Sequence, residues 1–213
     1  MGATLALPQF TLEDYLAFEE QSADKHEFWN GQIFAMAGAS PVHNQICFTL
    51  AMMVGRQLSS QCRGYSSDQK IRIEAADLNT YADLTIVCGE PNYHAKHHAL
   101  LLNPRVIFEV LSPATAAYDR GEKWSCYQQL PSLTDYLLVE QDRAQIEHYI
   151  LLPDGGWRYV RAAGLESALT IGSLNCQLPL SEIYNGIEFP PLPPPRSTIQ
   201  LINESWFSSE DKS

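Results

Sequence analysis

The chain has no apolar run long enough to span a bilayer and no basic, apolar leader at its first residues, so membrane insertion and secretion are not expected. Basic residues are scarce: 14 Lys and Arg face 25 Asp and Glu, for a formal net charge of −11. That balance argues against a protein that grips nucleic acid by bulk positive charge, because phosphate binding is driven by cations that release counterions. Cysteine is thin as well. The residues at 47, 62, 88, 126 and 176 are odd in number and include no C-x-x-C pair, which disfavours a zinc knuckle or a dithiol redox motif. They read as reduced thiols in a cytoplasmic protein. The P-loop, the Rossmann glycine pattern and the nucleophile elbow are also missing, so nucleotide-binding and serine-hydrolase classes find no support.

What is present fits one α/β domain over residues 1–187, with a proline-rich extension over 188–213 that reads as an extended strap. Thr11-Leu-Glu-Asp14 is a capping-box pattern opening a short helix. Asn30-Gly31 separates two strand-like runs and predicts a β-hairpin. Ser40-Pro41 starts a long helix to about Leu58, with Ile46, Leu50 and Val54 along one stripe and His43 close to it. Ile71 and Ile73 alternate with Lys70 and Arg72, predicting a strand with one wet face. Strands follow at 83–88 and 105–111, then one helix from the cap Asp119 to about Leu130, then strands near 136–139, 145–150 and 156–161. The order predicts an α/β sandwich around one mixed β-sheet flanked by helices, with an N-terminal helix and β-hairpin.

One residue breaks its surroundings. Arg105-Val-Ile-Phe-Glu-Val-Leu111 reads as a central strand covered on both faces, and Glu109 sits in its middle. An unpaired, desolvated carboxylate there costs several kcal/mol, so a partner is required. Two partners satisfy it: an arginine in a single salt bridge, or a cation shared with Asp83 on the preceding strand. The histidine run His94, His97 and His98 lacks accompanying cysteines or carboxylates and reads as a polar loop, and Asp68 and Lys70 read as an exposed strand end.

The segments Tyr81-Ala-Asp83-Leu-Thr-Ile-Val, Pro104-Arg-Val-Ile-Phe-Glu109-Val-Leu-Ser-Pro-Ala-Thr115, Asp119-Arg-Gly-Glu-Lys123 and Leu133-Thr-Asp-Tyr136 together resemble the Uma-type family of restriction-endonuclease-like bacterial proteins, within the PD-(D/E)XK nuclease superfamily. The resemblance runs from about Thr11 to Ile187. It implies a metal-dependent endonuclease that hydrolyses DNA phosphodiester bonds, with Mg²⁺ or Mn²⁺ as cofactor, DNA as partner and a homodimer as the assembly. By the same resemblance Asp83 matches the motif aspartate, Glu109 the second acid, and Glu27 an additional N-terminal acid, all three as metal ligands. Ala82 and Leu111 stand where the motif carries proline and lysine. The resemblance implies that the missing lysine is supplied by the next helix, where Lys123 is the candidate, while an ordinary solvated helix lysine remains the alternative. Tyr127, one turn on, shares its face. His43 is a supporting candidate only. The competing function is a non-catalytic interaction or scaffold protein that keeps the nuclease fold, which Leu111 and the acidic balance favour.

Overall fold

The computed structural model describes residues 9–191. Thr11 and Asp14 close a capping box on α1 (Leu12–Gln21), and Tyr15 turns inward against Phe28. Strands β1 (His26–Trp29) and β2 (Gln32–Ala35) pair across Asn30 and Gly31, whose φ values of 47° and 77° are those of a tight hairpin turn. Ser40 caps α2 (Pro41–Gly55), whose buried stripe is Ile46, Leu50, Met53 and Val54. This helix ends at Gly55, short of the expected Leu58.

Six strands follow: β3 (Cys62–Ser66), β4 (Lys70–Ile73), β5 (Leu78–Tyr81), β6 (Leu84–Cys88), β7 (Leu100–Leu101) and β8 (Val106–Leu111). Where one helix was expected from Asp119, the chain forms α3 (Ala116–Arg120) and α4 (Glu122–Tyr127), broken at Gly121. The turn starts earlier because Ser112 and Thr115 bond one another, and Asp119 is thereby buried instead of capping a helix. The remainder comprises β9 (Asp135–Glu140), β10 (Gln145–Leu151), β11 (Trp157–Ala163), β12 (Ala168–Ile171), β13 (Cys176–Pro179) and α5 (Leu180–Ile183).

The α/β class and the mixed pairing hold, but the strands divide among three sheets instead of one. The largest runs β11-β10-β9-β8-β6-β3, with β8 and β9 parallel and the other pairs antiparallel. A second runs β2-β1-β5-β4-β7, and β12 with β13 forms a small third. On one face of the large sheet α2 packs on Ile86, Phe108, Val110, Leu137 and Val139. On the other, Trp124 and Tyr127 of α4 meet Ile107, Leu111, Tyr136 and Leu138, together with Ile71, Ile73 and Leu78 of the second sheet. Strand β8 is therefore covered on both sides, which forces any polar residue in it to find a partner inside the protein.

Two further expectations are corrected. Strand β4 lacks the expected wet face: Ile71, Arg72 and Ile73 are all buried, and the Arg72 guanidinium lies 2.6 Å from Asp77. Cys62 and Cys88 are not reduced thiols: the β3–β6 register opposes them with Cα atoms 4.0 Å apart, and they form a disulfide. Packing also runs past Ile187, since the Phe189 ring lies 5.4 Å from Tyr184. The extension beyond Pro191 lies outside the described residues.

Candidate active site

Glu109 finds its partner on α4, and that partner is a lysine, not an arginine. Lys123 Nζ lies 2.9 Å from Glu109 Oε1, 3.3 Å from Glu27 Oε1 and 3.7 Å from Asp119 Oδ1, and it donates to the Tyr81 carbonyl at 3.1 Å. The Tyr127 hydroxyl donates to the same Glu109 oxygen at 2.9 Å. Both contacts fall on Oε1 and leave Oε2 outside them. Glu27, from β1, also accepts a short hydrogen bond from the Thr80 hydroxyl of β5. Lys123 is only 4% exposed and Glu109 5%, so these charges interact with little water between them.

Asp83 approaches from the β6 side. The β6–β8 register pairs Leu84 with Phe108, and one step further along both strands opposes Asp83 to Glu109. Asp83 Oδ2 accepts from the Val110 N–H at 2.7 Å, and Oδ1 lies 3.0 Å from His43 Nε2 on α2. Cys47, one turn after His43, joins this side: one ligand atom each from His43, Cys47 and Asp83 lie within 4.8 Å of one another. Among the described residues, Glu27, Asp83 and Glu109 do not close into a group of that kind, since Glu27 is turned toward Lys123 and Thr80.

The electrostatics follow from this crowding. Burial pushes the Glu109 carboxyl well above the usual range; Asp119 and Asp83 add to the rise and Lys123 opposes it. Asp119 is raised for the same reasons, by burial first and then by Glu27 and Asp83 against Lys123. Burial by itself would lower Lys123, but Glu109, Tyr127, Glu27 and Asp119 outweigh it and hold the ammonium charged. His43 is raised because its hydrogen bond and attraction to Asp83 overcome the cost of burial. Four carboxyl groups thus face two groups that can carry positive charge. The cluster favours taking up more positive charge, whether as protons or as a cation.

Two hard oxygen donors, Asp83 immediately before β6 and Glu109 in the neighbouring β8, suit a magnesium-class ion. The cluster also contains residues that sequence reasoning did not single out. Asp119 stands four residues before Lys123, a helical ion-pair spacing that was legible but read as a cap. Thr80 and Cys47 gave no such signal. The remaining candidates lie elsewhere: His94 and His97 stack on each other with ring centres 5.1 Å apart, and Asp68 pairs with Lys25 at the surface.

The architecture is that of the restriction-endonuclease-like α/β proteins. A crystal structure from Anabaena variabilis, described as "a putative nuclease belonging to DUF820", matches with a TM-score of 0.64 at 14% identity, covering 82% of this chain and 97% of that one. Residues 12–181 match the Uma2 family model, described as "Putative restriction endonuclease", and the chain belongs to that family. Among its relatives, the Synechocystis protein slr1290 is 34% identical over 183 residues, which cover 85% of this chain and 95% of the relative. A second Synechocystis protein, sll1609, is 32% identical over 155 residues, covering 72% and 88%. No helix of the described residues is long and apolar enough to cross a membrane.

Proposed function

We propose that the chain is a magnesium- or manganese-dependent endodeoxyribonuclease whose cation is held by Asp83 and Glu109. The observation that carries this reading is the 2.9 Å approach of Lys123 to Glu109, which brings an ammonium from α4 to the strand where Leu111 leaves the family's lysine position empty of charge. A bound magnesium ion would supply Lewis-acid activation of water and of a phosphate oxygen. The protein's own groups have separate tasks. The Val110 N–H and His43 fix the two Asp83 oxygens, while Tyr127 fixes Glu109 through Oε1. Glu27 and Asp119 hold Lys123 charged and aimed at the site, so that it can orient a water or meet negative charge on the transferring phosphoryl group. A homodimer is part of this proposal, because cutting both strands of a duplex calls for two such sites.

A second reading, a scaffold that keeps the fold without turnover, is favoured by how completely carboxylates and the Tyr81 carbonyl surround Lys123. Cleavage of supercoiled plasmid separates the two. The nuclease reading expects nicking in Mg²⁺ or Mn²⁺ that falls by roughly a hundredfold or more in Asp83→Asn and in Glu109→Gln. No cleavage by the wild type with either ion, or cleavage kept by both variants, overturns it.

A further inference from the structure

We propose that His43, Cys47 and Asp83 form a cation subsite of their own, which takes a borderline-soft divalent ion of the zinc class. His43 and Cys47 are four residues apart on α2 and so project from one helix face, and Asp83 meets them from the start of β6. Among the described residues, this is the group of three His, Cys, Asp or Glu side chains whose ligand atoms lie within 4.8 Å of one another. Ligand atoms about 2.0–2.3 Å from one tetrahedral ion stand roughly 3–4 Å apart. The 3.0 Å between His43 Nε2 and Asp83 Oδ1 therefore suits two ligands of one ion as well as it suits a hydrogen bond.

The donor set decides which ion. One imidazole nitrogen, one thiolate and one carboxylate oxygen favour zinc-class ions, whereas a thiolate is a poor ligand for magnesium. Three protein ligands leave a fourth position for water or a phosphate oxygen. The set is also braced from behind, since the Val110 N–H holds Asp83 Oδ2 and leaves Oδ1 facing His43. Cys47 is half-buried, so an ion can reach it from solvent. On binding, the Cys47 S–H bond is exchanged for a sulfur–metal bond and its proton leaves to solvent, while the His43 Nε2–H that bonds Asp83 is exchanged for a nitrogen–metal bond and its proton passes to Nδ1 or to solvent.

The binding claim stands apart from the nuclease reading. Its consequence rests on that reading: Asp83 belongs to both donor sets, so zinc withdraws it from the magnesium site and inhibits cleavage.

The test uses the full chain and Co²⁺ as a spectroscopic substitute for Zn²⁺. A thiolate-to-cobalt charge-transfer band should saturate near about one equivalent and be displaced by Zn²⁺. Cys47→Ala and His43→Ala should remove it, while Glu109→Gln and Cys176→Ala should keep it. A measurement on the unaltered protein guards against variants that fail to fold: Zn²⁺ should slow alkylation of Cys47, read by peptide mass spectrometry, by roughly tenfold or more, and Mg²⁺ should not. A band that survives Cys47→Ala, or Cys47 alkylation indifferent to zinc, overturns the site. If the plasmid assay fails while the band and the protection hold, the nuclease reading falls and the zinc-class site stands.

Discussion

Among the described residues, Lys123 is the one ammonium shared by Glu27, Glu109 and Asp119, and it is almost wholly removed from solvent. Removing a group and removing one of its several partners are therefore different experiments. Lys123→Met strands three buried carboxyls and should cost about 3–5 kcal/mol at neutral pH, the usual penalty for breaking a buried ion pair from one side. The loss should shrink as pH falls and Glu109 and Asp119, both raised by burial, take up protons, which urea unfolding at neutral and at acidic pH would read. A second buried carboxyl behaves with the opposite sign. Burial pushes Asp135 up, but hydrogen bonds from His148, Ser173 and Thr134 outweigh it and hold the group below the usual carboxylate range. Its contribution to stability is present above that range and is lost as pH falls through its lowered value. Asp135→Asn should therefore cost stability at neutral pH and flatten the acid-unfolding limb below about pH 4. An unchanged acid limb would mean that the folded protein does not hold the Asp135 carboxyl below the usual range.

Strand β8 shows what a linear reading can and cannot reach. Its apolar run around Glu109 was legible because a central strand has no solvent face on which to place a carboxylate. The β1–β2 hairpin was legible because Asn30-Gly31 constrains its own backbone. The division into separate sheets was not, because it depends on long-range pairing: the two-residue strand β7 runs parallel to β4 and draws it away from β6. The residues alone did not identify Glu109's partner for the same reason, since Lys123, which only the family resemblance brought to the site, reaches Glu109 once α4 folds over the sheet. The Cys62–Cys88 bond likewise depends on the β3–β6 register, with its ends at a sequence separation of 26. Closing a loop of that length contributes about 3 kcal/mol by the chain-entropy account. Dithiothreitol, or Cys62→Ser, should lower the melting temperature by several degrees, whereas a melt indifferent to reductant would mean that the two thiols are unlinked.

At the scale of the molecule, the charge of −11 and the proposed DNA substrate pull in opposite directions, and the proposed cation among the carboxyls would reconcile them locally. The β6–β8 register opposes Asp83 to Glu109, and α4 brings Lys123 to Glu109. Because burial and neighbouring acids raise the Glu109 carboxyl, its contribution to stability is full below the usual carboxylate range and is lost as pH rises through the raised value. Raising the pH therefore removes stability from the metal-free protein at Glu109. Thermal melts of the wild type and Glu109→Gln, each with and without Mn²⁺, test this most directly. The variant should melt at the same or a higher temperature than the wild type without metal, because Lys123 keeps Glu27 and Asp119 as partners. Added Mn²⁺ at about a hundred times its dissociation constant should stabilise the wild type by about 2.7 kcal/mol and leave the variant unmoved. A strongly destabilised variant beside a wild type indifferent to Mn²⁺ would contradict the account, and would make Glu109 one half of a structural ion pair.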